Sequence, residues 1–405
     1  MDWILRNARL SCFDKLVDLG IADGVIVAQE PNLAQKASQE WDLAGRVVLP
    51  GLVDCHTHLD KAYLGAVNHS GTLLEAIDVW RQEKLARGSK DVLSAARRAL
   101  EQAMLNGVTA LRTHVDTEVT GDLVTVEALL SLREEMRGQI DLQLVALGLI
   151  TFSDECADTM RTALEMGVDY VGGAPALTPD PIADLDALFA LSERSGKPID
   201  LHIDETEDPA MLTLAALAER TIAHGLQGQI AAGHCCSLAF VDEPTAARVI
   251  NAVAAAQIHI VTLPLCNLVL MGRGHRPVPR GVTRVKELLT AGVTVSAASD
   301  NVQDPFNPFG SHDLLHIAQL TAATAHMTGA DELAQCLDMV TSHPAQLFGH
   351  RGRIEPGAIA DLTVLDTTEP LQAITAPPLR LATFKRGKLV VKTEVTRRWE
   401  QPDQR

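Results

Sequence analysis

Between residues 51 and 345 the chain alternates short apolar runs with longer amphipathic ones, eight times over. The short runs predict strands at 48–54, 108–116, 141–147, 169–174, 199–204, 228–234, 258–264 and 293–300. The intervening stretches predict helices. In Leu93–Met104, apolar residues recur every three or four positions, the spacing of one buried helix face. Strands alternating with helices form parallel sheets. Eight such units over about 290 residues fit a (β/α)8 TIM barrel.

The two ends read differently. Residues 3–10, 19–27 (with an Asp23-Gly24 turn signal) and 41–48 are strand-like, and so are 357–366 and 382–391. Short strands bounded by glycine turns predict β structure. Two such ends around a different middle predict one small β-sandwich domain built from both termini. The expected division is 1–50 for its N-terminal part, 51–345 for a metal-dependent catalytic barrel, and 346–405 for its C-terminal part and tail. That tail is polar from Thr393 onward.

Composition narrows the partners. A formal charge of −17 disfavours nucleic acid and anionic membrane. No apolar run reaches the ~18 residues of a membrane span, and the start lacks a basic segment followed by an apolar one, so no signal peptide is expected. The seven cysteines are odd in number and scattered, with no Cys-x-x-Cys. That usage predicts reduced thiols in a cytoplasmic protein. Cys235 and Cys236 read as buried inert thiols.

In a (β/α)8 barrel, residues at strand C-terminal ends line the active site. Those ends carry His56 and His58, His114 and Asp116, then His202, Asp204 and Glu205, and finally His234 and Asp300. One buried His or Asp is ordinarily a structural hydrogen-bonding residue. Five strands ending this way point to a metal-dependent active site. His56 and His58 are two apart, so in a strand they share a face about 6–7 Å apart. Three imidazoles and a carboxylate bind a divalent ion and leave room for water, whose pKa then falls toward neutrality. Glu205, three residues after His202, suits proton transfer between that water and a substrate nitrogen. His234 suits a hydrogen bond to the attacking hydroxide or polarisation of the substrate.

The motifs His56-Thr57-His58-Leu59-Asp60, Arg112-Thr113-His114-Val115-Asp116, His202-Ile203-Asp204-Glu205, Gly233-His234 and Ser299-Asp300 resemble the amidohydrolase superfamily. Pro264-Leu265-Cys266-Asn267, the run Arg280–Leu289 and Asp304-Pro305-Phe306 point to its cytosine deaminase-like branch. The resemblance covers nearly the whole chain. It implies metal ligands His56, His58, His202 and Asp300, catalytic roles for Glu205 and His234, and Asp300 as the base that takes the water's proton. It also implies a homo-oligomer. Binuclear relatives place a carboxylated lysine at the end of strand 4, and Asp169–Pro175 has none. One divalent ion, zinc or iron, is therefore expected. The zinc deaminases of another fold use His-x-Glu with Pro-Cys-x-x-Cys, and neither motif occurs.

The chain also departs from that branch. Leu149 stands where a glutamine reads the pyrimidine edge, Asp300-Asn301 replaces an Asp-Asp pair, and Phe306 replaces a tryptophan. With Asn267, and Lys61 at the mouth, these residues are the substrate-binding candidates. A second branch, which removes N-alkylamino groups from s-triazine rings, shares the start His56–Lys61 and Ser299-Asp300-Asn301. It has His-Asp where this chain has Asp204-Glu205, so Glu205 favours deamination. The expected activity is a metal-dependent hydrolytic deaminase (aminohydrolase) of a small N-heterocycle of cytosine, 5-methylcytosine or aminotriazine type. Metal-bound hydroxide attacks the C–NH2 carbon and ammonia leaves. The alternatives are hydrolysis of a cyclic amide or N-alkylaminotriazine on the same site, or a catalytically dead ligand-binding homologue. Intact Glu205, His234 and Asp300 argue against the last.

Overall fold

The computed structural model describes residues 1–10 and 15–399. Cys12 and the end of the polar tail, 400–405, lie outside them. The N-terminal strands are β1 (Trp3–Ala8), β2 (Val17–Ala22), β3 (Val25–Glu30) and β4 (Gln39–Asp42), arranged β3-β2-β1-β4. The run 19–27 is in fact a hairpin. Asp23 and Gly24 turn at φ 50° and 79°, the positive values a tight two-residue hairpin loop requires. The run 41–48 is likewise broken, at Ala44 (φ 50°) and Gly45 (φ 82°). Its second half becomes β5 (Val48–Pro50), in a different sheet.

Eight parallel strands follow: β6 (Leu52–Thr57), β7 (Val108–Asp116), β8 (Asp141–Leu147), β9 (Tyr170–Val171), β10 (Ile199–Ile203), β11 (Ile230–His234), β12 (His259–Thr262) and β13 (Val295–Ala297). Each pairs with its neighbours in chain order. A bridge between Thr57 and Asp300 joins the last strand's end to the first. This is the (β/α)8 barrel. Its strands are covered on both faces, as all-parallel strands are; every residue of β7 is buried. Between β6 and β7 lie two helices, α1 (Leu73–Ala86) and α2 (Ser89–Leu105). The second contains the expected helix at 93–104 and packs Val92, Ala96, Ala99 and Leu100 inward.

The C-terminal strands β14 (Leu362–Leu365), β15 (Arg380–Lys385) and β16 (Lys388–Lys392) pair with β5 in the order β16-β15-β14-β5. The two four-stranded sheets share one core. Leu5, Leu19, Ile21 and Ile26 of the first bury against Val48, Leu362, Val364 and Phe384 of the second. Aligned sheets sharing an apolar interior make a sandwich, here from both chain ends. The expected strand 48–54 therefore divides at Gly51. The Gly51 amide donates to Asp361 in the sandwich and the next amide, Leu52, donates to Gly107 in the barrel. A Cβ at Gly51 would strike the Thr109 side chain.

Candidate active site

The strand ends converge. His58 Nε2 lies 3.2 Å from His202 Nε2 and 3.3 Å from Asp300 Oδ1, and His56 Nε2 lies 3.7 Å from that same oxygen. All four side chains are buried. Neither ring nitrogen of His56 and neither carboxylate oxygen of Asp300 has a hydrogen-bond partner. Buried polar atoms are normally paired, and one shared cation would take a nitrogen of His56 together with an oxygen of Asp300. Ligand atoms of His56, His58 and His202 lie within 4.8 Å of one another. Burial, above all, lowers His202 to about 3 and holds His56 and His58 well below the ordinary imidazole value. Neutral imidazole is the ligand form, so the donor set fits a divalent ion.

Glu205 and His234 stand beside this group, with Glu205 Oε1 3.3 Å from His234 Nδ1. Burial first, and the charge of Asp300 second, push the Glu205 carboxyl well above its usual range. Burial also raises Asp300, to about 7. The side-chain amide nitrogen of Asn267 lies 3.0 Å from His234 Nδ1. His234 Nε2 has no hydrogen-bond partner among the described residues. Asn267 is thus behind His234 and does not line the cavity. His234 and Asp300 adopt left-handed backbone angles, φ 67° and 58°, an uncommon state for residues other than glycine that clusters at functional sites.

The cavity above measures about 330 Å³. Glu205, His234, Asp300, Lys61, Asn301 and Phe306 line it, and Leu149 is in its wall. Lys61 is buried and pairs with Asp116 Oδ1 at 3.2 Å. Its ammonium sits 5.1 Å from the Trp80 ring centroid and 5.5 Å from that of Phe306. Asp116 Oδ2 accepts from Trp80 Nε1 at 2.5 Å and from Lys84 at 3.4 Å. Asp204 is not in the cavity. It accepts from the amides of Thr213 and Leu214 and caps the helix that follows. Arg273 bonds the carbonyls of Val269 and Ser70 and is likewise absent from the lining. The sequence reading missed the contribution of α1, whose Leu73, Ile77 and Trp80 face the cavity. Their spacing of four and three residues is the apolar stripe that marks a packed helix face.

A closed eight-stranded barrel whose strand ends present clustered imidazoles and carboxylates defines a hydrolase of the metal-assisted type. The Amidohydrolase family model matches residues 39–123 and 121–391, and the chain belongs to that family. It is 34% identical to a pterin deaminase of Rhizobium rhizogenes over 92% of this chain and 87% of that one. It is 30% identical to an N-isopropylammelide isopropyl amidohydrolase of Pseudomonas sp. over 97% and 98%. Its structure superposes on a 5-methylcytosine deaminase of Klebsiella pneumoniae, liganded with phosphonocytosine, at TM-score 0.92 and 32% identity, covering 98% of this chain and all of that one. The protein is a hydrolytic enzyme acting on C–N bonds. No described helix is long and apolar enough to cross a membrane, and the six described cysteines are free and buried.

Proposed function

We propose that the chain is a hydrolytic deaminase of a small amino-substituted N-heterocycle, with His56, His58, His202 and Asp300 holding one divalent ion, zinc or iron. The observation that carries this reading is geometric: the Glu205 carboxyl lies 3.3 Å from the His234 imidazole, and both face one cavity with Asp300, His58 and His202. When bound, the ion supplies Lewis acidity and a lowered water pKa. Asp300 takes the water's proton at a carboxylate oxygen. Glu205, as the acid, gives its proton to the ring nitrogen and takes one back from the added hydroxyl, and Asp300 passes the proton it took from water to the departing amine. His234 donates from Nε2 and steadies the oxygen that adds to the ring. Lys61, Asn301, Phe306 and Leu149 orient the heterocycle.

The relatives act on cytosine-, pterin- and triazine-type rings by their names, which supports the substrate class. Removal of an alkylamine from a triazine is the second reading. It is favoured by the apolar side chains of Leu73, Ile77 and Leu149 beside the cavity, which leave a place for an alkyl group. Residues 51–345 form the catalytic domain in this reading, with 1–50 and 346–405 its companion, in a cytoplasmic homo-oligomer. The test is ammonia release by enzyme loaded with zinc or with iron. The panel is cytosine, 5-methylcytosine, isocytosine, creatinine, pterin and aminotriazines. Ammonia from one ring supports deamination. Isopropylamine from N-isopropylammelide, with no ammonia from any ring, replaces it with the second reading.

A further inference from the structure

Beneath the ligand group lies a second polar layer that the reaction does not use. Arg112 and His114 alternate on β7 as Asp200 and His202 do on β10, so each pair shares an inward face. All are buried. Arg112 Nη1 donates to Asp200 Oδ2 at 2.5 Å. Its other nitrogens bond Gln143 Oε1 and the Leu347 carbonyl, and its guanidinium stacks 3.8 Å from the Tyr170 ring centroid. Asp200 is therefore anchored to the barrel floor. Its other oxygen faces His114 Nε2 at 3.7 Å.

His114 lies against His56, with ring centroids 4.1 Å apart and planes at 38°. A ring nitrogen of each, and a carboxylate oxygen of Asp200, lie within 4.8 Å of one another. Neither nitrogen of His114 has a hydrogen-bond partner, and neither has the Asp200 oxygen that faces it. A histidine that only filled the core would bond its nitrogens elsewhere. The group is not a second cation site, because Arg112 already neutralises Asp200. Gly233 also approaches the His56 ring closely: a Cβ there would lie 2.9 Å from His56 Cε1. The His56 ring thus packs against His114 and against a residue that has no side chain.

We propose that His114, packed against the His56 ring and flanked by the Arg112–Asp200 pair, is a positioning residue that sets the orientation of His56 and so the affinity and geometry of the bound ion. This rests on the assignment of His56 as a ligand. Partners behind a ligating histidine fix its ring, and losing them typically costs about ten- to a hundredfold in metal affinity.

The test titrates cobalt(II) into the full-length metal-free chain against a competing chelator, recording affinity and visible spectrum. His114→Phe keeps a ring and removes the nitrogens. His114→Asn and Gly233→Ala are read alongside it, so an unfolded His114→Phe does not decide the matter. The expected result is a ten- to hundredfold weaker affinity and a shifted cobalt band in the variants that fold. Wild-type affinity with an unchanged band in those variants overturns the proposal. His56→Asn separates the two levels. If it loses the metal while the others keep it, only the positioning role fails. If it too binds at wild-type strength, the ligand assignment fails and the positioning role falls with it.

Discussion

The backbone amide of Asp300 donates to the carbonyl of His56 at 2.9 Å. Thr57, between the two histidines, adds a 2.6 Å bond from its hydroxyl to the Asp300 carbonyl. These bonds close the barrel where the first strand ends, at Thr57, against the segment just after the last strand, which ends at Ala297. The proposed ligands from the first and last strands are set in register by the closure itself. The unfolded chain has no such site.

Metal binding should therefore stabilise the folded chain. An ion that binds only the native state adds about 2.7 kcal/mol at a free concentration a hundred times its Kd. Thermal unfolding of the metal-free chain should move upward on titration with zinc and back with chelator. A midpoint that ignores both would show that His56, His58, His202 and Asp300 do not hold an ion.

Glu205→Gln keeps the shape of the side chain and removes its titrating proton. Loss of a positioned general acid–base group costs about 10²–10⁴ in rate. The kcat for ammonia release should fall by that range while metal content stays at the wild-type level. Unchanged kcat would assign proton transfer to another group.

The strand ends were readable because two rules act on adjacent residues. Alternation fixes which side chains share a face, and a barrel gathers its strand ends on one rim; His56, His202, His234 and Asp300 follow from these. Other features were not readable. Val47–Val53 is apolar apart from Pro50 and Gly51, so nothing local shows that Gly51 separates two sheets. The Asp116–Trp80 contact joins residues 36 apart through α1, whose position over the barrel depends on tertiary packing. The left-handed angles of His234 and Asp300 arise where β11 and β13 end, and neither side chain announces them. Asp204, read with the site from its place beside Glu205, turned out to cap a helix, because a left-handed turn at Asp204 (φ 51°) follows the strand's last residue, Ile203, and comes before Glu205.

Asp116→Asn should destabilise the chain near neutral pH. Burial opposes the charge on Asp116, but Lys61, Lys84 and the Trp80 indole hold its carboxyl below the usual range. A carboxyl depressed in the folded state contributes stability that is complete above the unfolded value of about 3.9 and is lost as pH falls through the folded value. Removing one partner of a buried ion pair costs about 3–5 kcal/mol. Denaturant unfolding at pH 7 should show that loss. The gap between variant and wild type should then narrow as the pH is taken below about 4. A gap that does not change with pH would mean that packing, not charge, ties α1 to the barrel.

Leu149→Gln probes the apolar part of the cavity wall. A buried leucine cannot pair with the donor and acceptor edge of a cytosine-type ring, and a site that leaves such an edge unpaired discriminates against it. The cavity already supplies Lys61 and Asn301 as polar groups, so a glutamine completes an edge rather than creating a site. One added hydrogen bond of ordinary net strength, about 1 kcal/mol, is roughly a fivefold gain, and two are several tens of fold. The kcat/KM for cytosine should rise by about that much in Leu149→Gln, with little change for a substrate that uses the apolar wall. The gain should appear mainly in KM, because the ring edge is bound equally before and during reaction. If cytosine turnover instead falls along with that of the native substrate, Leu149 supports the wall by packing alone, and the specificity of the site lies on the side of Lys61, Asn301 and Phe306.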